Sequence, residues 1–313
     1  MNWRTKAWMQ NIAAALPSSF SYGMYYWLQR SFGGLRRVNP LQDFRDGIKL
    51  AEIIDSLKKS PVGCTFFELG TGRRINLPLV YWLFGAQKTI SVDLNPYLKE
   101  PLIREDLEYV RKNREQIREL FAGRIHGRRL EELMAFTDGK WRLADLLNFC
   151  GIVYLSPCDA SRLPLASDTV DFYTSQVVLQ HIPLEILKKI FAEGRRVVKN
   201  HGIFIHHIDY SDHFAHADNT ISLINFLQFS EAQWNKLAGN RYMYMNRLRQ
   251  DDYCELFHTM HQKVLLLCNS NVNPRVHELL EKGELKLAER FAKKPKNILE
   301  ITSSWIVSEN NCE

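Results

Sequence analysis

Two glycines and the acidic residue before them form the first group that could do chemistry. An apolar run over residues 62–69 predicts a strand that leads directly into Gly70 and Gly72, with Glu68 near its end. Glycines here allow the backbone to turn tightly and to approach a ligand closely. The third glycine of a dinucleotide-binding fingerprint would fall on Ile75, and no Gly-Lys-Ser/Thr of a phosphate loop follows. The turn therefore indicates a ligand other than a dinucleotide, or a tight turn without a ligand.

Two aspartates follow the next two predicted strands. Asp93 ends the second strand, where a carboxylate can accept hydrogen bonds from both hydroxyls of a ribose or can cap the turn at Asn95. Asp159 follows the third strand, with Ala160 beside it. Because the carboxyl ends of parallel strands meet at one edge of an open sheet, Gly70, Asp93 and Asp159 should lie close together at a ligand site.

Histidines and aspartates at the end of the fifth predicted strand could supply a general base. Histidine removes a proton from a hydroxyl at neutral pH, and a neighbouring carboxylate can orient its ring. We expect His206 to be the base, oriented by Asp209 or by the Asp212–His213 pair, with His181 after the fourth strand as the alternative. These residues could also be structural or bind a divalent metal. No metal-ligand spacing such as His-Glu-x-x-His supports a metal, so none is expected.

The elements that must position these residues alternate between strand and helix. This alternation predicts a parallel, doubly wound α/β sheet. The predicted strands cover residues 62–69, 89–93, 152–154, 170–174 and 202–208. Between and after them, helices are predicted over residues 105–121, 129–149 and 183–199. A further apolar segment at residues 301–307 predicts a late strand at the edge of the sheet.

The spacing of the motifs predicts how the chain is divided. Residues 1–60 show helical periodicity, so we expect an N-terminal helical cap, with residues 61–313 forming the ligand-binding domain. The second and third acidic motifs are 66 residues apart, which is more than one helix and one strand need. We therefore expect helical inserts at about residues 97–149 and 215–260 that roof the site, exclude water and hold a substrate.

Composition is that of an ordinary globular protein and excludes several other classes. The 313 residues are 45% hydrophobic and 24% charged, which rules out a disordered or fibrous chain. The six cysteines form no Cys-x-x-Cys pair, so neither a disulfide scaffold nor a zinc module is expected. No apolar run approaches the roughly 20 residues of a membrane span, and we expect a cytoplasmic protein without a signal peptide or membrane partner. The net charge is +6, but basic and acidic residues are interspersed, so nucleic acid is not expected as a partner.

Four motifs in order resemble those of class I S-adenosylmethionine-dependent methyltransferases. They are Glu68-Leu69-Gly70-Thr71-Gly72, Val92-Asp93, Asp159-Ala160 with the following Leu163-Pro164 and Val170-Asp171-Phe172, and Val178-Leu179-Gln180-His181. The Leu-Pro element and the later histidine are similar to the small-molecule, methyltransferase-11-like branch. The resemblance covers about residues 62–210. It implies a Rossmann-like sheet of seven strands with the last strand antiparallel.

The resemblance also implies which residues bind S-adenosylmethionine as cofactor. Glu68, Gly70, Thr71 and Gly72 would frame its methionine and ribose portions. Asp93 and Leu94 would hold the ribose side, and Asp159 with the N–H of Ala160 would bind the adenine. Thr174 and Gln176, past the fourth strand, would line the sulfonium site. Arg74 departs from the pattern, since many members have a glycine near it, and we expect its side chain to point outward.

A hydroxyl is the expected methyl acceptor. The histidines favour oxygen, and Asp171-Phe172-Tyr173-Thr174 stands where amino-group methyltransferases carry Asn/Asp-Pro-Pro-Tyr. The chain, including residues 208–214, also resembles tailoring O-methyltransferases of cyanobacterial polyketide and peptide pathways. This implies a hydroxylated natural product as substrate, or an intermediate on an acidic acyl or peptidyl carrier protein that would suit the basic N-terminal segment. N- or C-methylation, a non-catalytic cofactor-binding scaffold and the oligomeric state stay open.

Overall fold

A computed structural model describes residues 2–36 and 38–311, and one seven-stranded sheet forms the centre of this part of the chain. The strands are β1 Thr65–Leu69, β2 Lys88–Val92, β3 Ile152–Leu155, β4 Val170–Gln176, β5 Val198–Asp209, β6 Gln262–Asn269 and β7 Ser303–Asn310. Their order across the sheet is β3-β2-β1-β4-β5-β7-β6. Strands β1 to β5 pair in parallel, and β7 is antiparallel to both β5 and β6. The prediction of a doubly wound sheet of seven strands with an antiparallel last strand is confirmed.

The predicted position of the last strand is wrong. Strand β7 lies between β5 and β6 and not at the edge of the sheet. Five consecutive β7 residues, 304–308, are buried, which is typical of a strand covered on both faces. The edge strand is β6, which the sequence analysis missed. Its Lys263 and Leu267 are exposed, so its pattern of burial is broken.

Helices flank the sheet in the described residues. They are α1 Trp3–Ala15, α2 Ser18–Phe32, α3 Leu41–Ser56, α4 Asn76–Leu83, α5 Glu100–Lys112, α6 Arg114–Phe121, α7 Arg129–Asp138, α8 Leu143–Phe149, α9 Leu184–Val197, α10 Glu231–Ala238, α11 Gln250–Thr259, α12 Pro274–Glu281, α13 Glu289–Ala292 and α14 Lys296–Leu299. One face of the sheet, with Phe66 and Phe172, packs against α3 and α4. The other face, with Tyr173 and Phe204, packs against α9 and α11. The sheet is thus covered on both sides, and its carboxyl edge is left for a ligand.

The N-terminal helices are divided between two parts of the molecule. The inner face of α1 packs on the segment after β5, where the Trp3 ring lies 5.6 Å from that of Phe214. Helix α3 packs on α4 so closely that a Cβ at Gly47 would lie 2.5 Å from Val80 Cγ1. Helix α2, between them, reaches the carboxyl edge of the sheet. The helices of the predicted cap thus contact different parts of the described structure.

The two predicted inserts also differ in their roles. Residues 97–149 contain four helices, α5 to α8, whose apolar side chains share a core with α4 beside β3. They flank the sheet, and only the segment around Tyr97 and Asp106 approaches the site. In the second insert, residues 215–249 pack around α1, whereas α11 is a regular flanking helix on the sheet face that carries Phe204.

Two further features concern the length of the helices and the state of the cysteines. No helix within the described ranges is long and apolar enough to cross a bilayer. Five cysteines in these ranges are free thiols, namely Cys64, Cys150, Cys158, Cys254 and Cys268, and Cys312 lies outside the described residues.

Candidate functional site

The Gly70–Gly72 turn forms the floor of the site at the end of β1. Both glycines have positive φ angles, 78° and 75°, which residues with a Cβ rarely adopt. The N–H of Gly70 donates to the Val92 carbonyl at 2.8 Å, which ties the turn to the end of β2. A Cβ at Gly70 would lie 2.7 Å from Val178 Cγ2. Glycine at this position therefore lets the segment after β4 lie directly against the turn.

Asp93 is buried at the end of β2 and already accepts two hydrogen bonds. The backbone N–H of Gly72 donates to its carboxylate at 3.0 Å, and the hydroxyl of Tyr154 on β3 donates at 2.9 Å. Burial raises the pKa of Asp93 to about 7, against the lowering effect of these two donors. The carboxylate is thus fixed beside the glycine turn, where the sequence analysis placed it.

The loop after β3 lies next to Asp93. The N–H of Cys158 donates to the Asp93 carbonyl at 2.9 Å, so Asp159 and Ala160 follow within two residues of this contact. Asp159 is exposed, and its carboxylate accepts the N–H of Ser161 at 2.9 Å, whereas Ala160 is buried. Leu94 is a large apolar side chain that is 67% exposed. The exposed carboxylate of Asp159 and the exposed side chain of Leu94 are therefore both close in sequence to the contact between this loop and Asp93.

A cavity of about 340 Å³ lies beside the turn, within the range typical of ligand sites. It is lined by Gln29, Leu35, Asp43, Glu68, Gly70, Thr71, Arg73, Arg74, Asn76, Leu77 and Gln176. Glu68 is buried and accepts hydrogen bonds from the Thr71 hydroxyl at 2.7 Å and the Ser91 hydroxyl at 3.0 Å. Burial raises the pKa of Glu68 to about 8. Of the predicted cofactor residues, Glu68, Gly70, Thr71 and Gln176 line this cavity.

Several lining residues of the cavity were missed by the sequence analysis, among them Asp43, Gln29 and Arg73. Asp43, at the start of α3, accepts a hydrogen bond from Asn76 Nδ2 at 2.7 Å. Gln29 of α2 accepts a hydrogen bond from Arg73, and Arg73 forms no ion pair among the described residues. No local motif marks these residues, since α2 and α3 reach the cavity only through packing. The one signal was Asp43 in the first turn of a clearly periodic helix.

The expectation that Arg74 points outward is wrong. Its side chain is only 16% exposed and forms an ion pair with Asp106 of α5. A buried cation needs a paired carboxylate, and α5 of the first insert supplies it. Arg74 therefore lines the cavity with its charge neutralised by Asp106.

Thr174 and Gln176, on β4, have different environments. Thr174 is buried in the sheet, where its hydroxyl donates to the Phe67 carbonyl at 2.9 Å. Contrary to the expectation, it is not among the residues that line the cavity. Gln176 lines the cavity. Its Nε2 donates to Asp46 of α3 at 2.7 Å and lies 2.8 Å from Nδ1 of His207. The amide nitrogen is engaged on both sides, and the described residues give the Gln176 carbonyl oxygen no hydrogen bond, so it can accept one from a ligand.

His206 cannot face an acceptor, and the prediction that it does is contradicted by its position. Its side chain is fully buried between α9 and α11, with the rings of Phe191 and Phe257 5.6 and 5.7 Å away. Nδ1 lies 2.8 Å from the Ser175 hydroxyl, and Nε2 has no hydrogen-bond partner. Successive residues of a strand point to opposite faces, so His207 is the one directed toward Gln176.

Burial of His206 has a measurable consequence for stability. Burial lowers the pKa of His206 to about 3. Below about pH 6.5 the unfolded chain binds a proton here that the folded chain does not, so the free energy of unfolding falls as the pH falls. Between pH 7.5 and pH 5 this loss is about 2 kcal/mol. We expect the total loss of stability over this pH range to be about 2 kcal/mol smaller in His206→Leu than in the wild type, and unchanged in His258→Leu, which changes an exposed histidine. Equal losses in the wild type and His206→Leu, measured by denaturant unfolding, would contradict this.

A second group of histidines lies on the other side of the segment after β4. The N–H of His181 donates to the carbonyl of Val178, the residue packed on Gly70, and His181 Nδ1 bonds the Tyr244 carbonyl at 2.8 Å. The rings of His181 and His213 are 4.9 Å apart. His213 Nε2 lies 3.2 Å from the Asp209 carboxylate. Three of the four predicted catalytic residues, His181, Asp209 and His213, are thus brought together.

The partner of His213 is Asp209 and not Asp212. Asp212 is fully buried, and its carboxylate accepts hydrogen bonds from Asn225 Nδ2 at 3.0 Å and the Phe214 N–H at 2.9 Å. Burial pushes the pKa of Asp209 upward, but the hydrogen bond and charge of His213, together with Ser211, outweigh this and lower the pKa. Burial lowers the pKa of His181 to about 4, so its ring is neutral at pH 7. Among the described residues, no group of three or more His, Cys, Asp or Glu side chains could hold a metal ion.

Comparisons with known proteins agree with this geometry at the level of the class. The family model described as "Methyltransferase domain" matches residues 135–206, which is under a quarter of the chain. These residues include β3, β4, α9 and the part of β5 that ends at His206. The match supports assignment to the S-adenosylmethionine-dependent methyltransferases, whose cofactor is S-adenosylmethionine. It does not address the acceptor. No curated protein matches the chain.

Several solved structures are similar to this chain. A protein from Pyrococcus horikoshii, PH0226, is 14% identical over 92% of this chain and 98% of its own, with a TM-score of 0.46. A geranyl diphosphate methyltransferase in complex with SAM is 12% identical over 84% and 85%, with a TM-score of 0.43. A geranyl diphosphate C-methyltransferase from Streptomyces coelicolor is 11% identical over 84% and 80%, with a TM-score of 0.41. At these values the fold assignment rests on the strand order itself.

Proposed function

We propose that the protein binds S-adenosylmethionine at the carboxyl edge of β1 and β2 and transfers its methyl group to a hydroxyl of a small molecule. One observation carries this proposal: a buried carboxylate, Asp93, stands beside the Gly70–Gly72 turn and next to a cavity lined by further carboxylates. The cofactor carries a sulfonium and an amino group, and carboxylates attract both. The family match over residues 135–206 supports the same class of activity.

Each part of the cofactor has a counterpart in these residues. The Asp93 carboxylate would accept the ribose hydroxyls, with Gly72 and Tyr154 holding it in place. Leu94 and the loop with Asp159 and Ala160 would contact the adenine. In the cavity, Glu68 and Asp43 would bind the amino group, and Arg73 would bind the carboxylate. Arg73 is available for this because it donates to Gln29 and pairs with no acid among the described residues.

Gln176 would orient the reacting groups. When bound, the cofactor supplies an activated methyl group, and the protein must hold the acceptor in line with it. Asp46 and His207 fix the Gln176 amide, so that its carbonyl oxygen presents negative partial charge to the cavity. His207 is itself held by stacking on Trp305, with ring centroids 4.6 Å apart. Asp46, Gln176, His207 and Trp305 thus form a chain of contacts, called the clamp below, that runs from α3 through β4 and β5 to β7.

Loosening this clamp should slow the reaction more than it weakens cofactor binding. We expect Asp46→Ala to lower turnover about tenfold, because misplacing a positioned group by about 1 Å can cost up to about a hundredfold. Affinity for S-adenosylhomocysteine, measured by calorimetry, should change by less than about threefold. Asp55→Ala serves as a control, because Asp55 lies on the same helix and pairs with Arg124 on the surface. Equal turnover in both variants would contradict the role of the clamp.

Proton removal from the acceptor would fall to His213 with Asp209. An imidazole oriented by a carboxylate can take the hydroxyl proton as the methyl group arrives. His181, neutral and fixed by the Tyr244 carbonyl, leaves Nε2 free of hydrogen bonds within the described residues and can hold the same hydroxyl. One imidazole that can take a proton and a second that can hold the hydroxyl favour oxygen over carbon as the acceptor. We propose a hydroxylated natural product as substrate, free or attached to a carrier protein.

The test of the proposed function has two steps. Calorimetry should show that S-adenosylhomocysteine binds, while NAD, which needs the missing third glycine, should not bind. Labelled S-adenosylmethionine should then transfer its methyl group to members of a panel of hydroxylated polyketides and peptides, and not to their O-methylated counterparts. NAD binding of comparable strength would refute the cofactor assignment. Cofactor binding with transfer only to amines or carbon acids would refute the choice of oxygen.

A further inference from the structure

Helix α1 has two opposite faces of different character. Its inner face buries Trp3, Ala7, Gln10 and Ala13 against the rest of the protein. Its outer face exposes Trp8 (64%), Met9 (44%) and Ile12 (48%). Residues 8, 9 and 12 are neighbours on a helix surface, so these three side chains form one apolar patch. Single exposed apolar residues need no explanation, but a contiguous patch with a tryptophan marks an interaction site.

Basic side chains flank this outer patch, whereas Asp218, which accepts the Trp3 N–H at the start of α1, is buried. Residues 1–42 contain five basic residues and no aspartate or glutamate, although the whole chain has 35 acidic residues. Arg4 is exposed at the start of α1. Arg241 is exposed at its end, where it donates to the Ala14 carbonyl at 2.8 Å. The exposed Lys236 lies alongside, since Asn11 Nδ2 contacts its carbonyl at 3.4 Å. Arg4 at one end of α1 and Lys236 and Arg241 beside its other half therefore form a basic rim of the outer patch.

We propose that the outer face of α1 docks on the surface of an anionic phospholipid bilayer. Trp8, Met9 and Ile12 enter the interfacial region, and Arg4, Lys236 and Arg241 meet the headgroup phosphates. An amphipathic helix lying in the interface has this combination of aromatic and aliphatic side chains with a cationic border. The helix adsorbs and does not span the membrane. The inference goes beyond methyl transfer and revises the expectation that no membrane is a partner.

Two other occupants fit the outer patch less well. A second copy of the chain would bring two basic rims together, and like charges at an interface cost free energy. A stable protein interface buries about 800 Å² on each partner, and three side chains of one short helix supply far less. A bilayer needs no shaped partner surface, because apolar insertion is non-directional and the phosphates are mobile.

Docking through α1 would also influence the approach of substrate. Helix α1 packs on α2, which lines the cavity through Gln29 and exposes Trp27. The cavity would then lie near the bilayer, where a lipophilic acceptor concentrates. This consequence rests on the proposed function, whereas docking itself does not.

Flotation of the 313-residue protein with vesicles tests this inference. The vesicles contain phosphatidylcholine alone or phosphatidylcholine with phosphatidylglycerol, at low and at physiological ionic strength. We expect binding to the anionic vesicles that weakens with salt, and at least a tenfold loss of binding in the double variant Trp8→Ser/Ile12→Ser. Arg4→Gln/Lys236→Gln should also weaken binding. Val272→Ser removes an equally exposed apolar side chain far along the chain and should bind as the wild type does.

Several results would overturn the proposal. These are no flotation with anionic vesicles, equal flotation with neutral ones, or unchanged binding in the double variant. A dimer detected by light scattering that Trp8→Ser/Ile12→Ser dissociates would assign the outer patch to a second copy. Trp8 and Ile12 are exposed, so thermal unfolding of the double variant should match the wild type. That match shows that a loss of binding does not come from misfolding.

Discussion

Replacing His213 with alanine should lower the turnover of methyl transfer about a hundredfold or more, because general-base assistance is typically worth about 10²–10⁴ in rate. The His213 ring is held by Asp209 at 3.2 Å and lies 4.9 Å from the ring of His181, beside the segment that packs on the glycine turn. Its contacts within the described residues are with Asp209, His181 and His216, none of which is assigned to the cofactor. Affinity for S-adenosylhomocysteine should therefore be unchanged in His213→Ala, and only the rate with an acceptor should fall.

A matched pair elsewhere in the chain controls for this change. His277 Nδ1 lies 2.6 Å from the Glu300 carboxylate, and the pair is remote in sequence from every assigned residue. His277→Ala removes the same kind of contact and should leave turnover unaltered. Asp209→Asn should reduce turnover less than His213→Ala, since the ring stays in place but loses its carboxylate. If His213→Ala and His181→Ala both keep full activity, positioning alone carries the reaction and no base acts here.

The alternation of strands and helices made most of the fold predictable. Residues 62–208 carry local signals at nearly every step, such as the apolar runs that became β1 and β5. The order of the last two strands has no local signal, because β7 is inserted between β5 and β6 by tertiary pairing. The uninterrupted buried run of β7 is typical of an interior strand. The mixed exposure of β6 gives no clear strand pattern, so this edge strand was not predicted.

The candidate site was predictable where one strand end determined a residue's position. Glu68, Gly70 and Asp93 belong to such strand ends, and the structure brings them together. Asp43 and Asp46 reach the same place from a helix that precedes the sheet in sequence. Helix α3 can approach only because Gly47 lets it pack closely on α4. That contact depends on the finished fold, so no spacing along the chain could reveal it.

The choice among the histidines shows where strand periodicity stops being informative. Alternation correctly assigns His206 and His207 to opposite faces of β5. It does not say which face α9 and α11 will cover, and they cover the one with His206. His213 lies beyond the strand, where a turn held by the Asp209 carboxylate and the Ser211 N–H brings it back to Asp209. The position of His206 therefore argues against that ring as the base, and His213 in the same cluster is the base that we propose.

Replacing Asp93 with alanine should weaken cofactor binding at least tenfold. The carboxylate would accept hydrogen bonds from two ribose hydroxyls, and a hydrogen bond to a charged group is worth about 1.5–3 kcal/mol. The variant also leaves the Gly72 N–H and the Tyr154 hydroxyl without their shared acceptor. Calorimetry with S-adenosylhomocysteine measures the loss. Tyr154→Phe, which removes only the supporting hydroxyl, should give a smaller loss.

Asp171 provides the control for Asp93. It also accepts a backbone N–H, from Thr65 at 2.9 Å, and it lies at the opposite end of β1 and β4. Asp171→Ala should bind S-adenosylhomocysteine as the wild type does, even if it is less stable. Unchanged affinity in a folded Asp93→Ala variant would remove Asp93 from the cofactor site.

The dependence of cofactor affinity on pH gives a second, independent check on Asp93. Burial raises the pKa of this carboxyl to about 7, so a large fraction is protonated at pH 6 and little at pH 8. Only the ionised form accepts both ribose hydroxyls, so affinity should rise about tenfold from pH 6 to pH 8. Burial also raises the pKa of Glu68, to about 8, and its ionisation acts in the same direction. Asp93→Asn, whose amide does not ionise, should therefore show a shallower rise than the wild type. An identical slope in both proteins would mean that Asp93 does not meet the ribose.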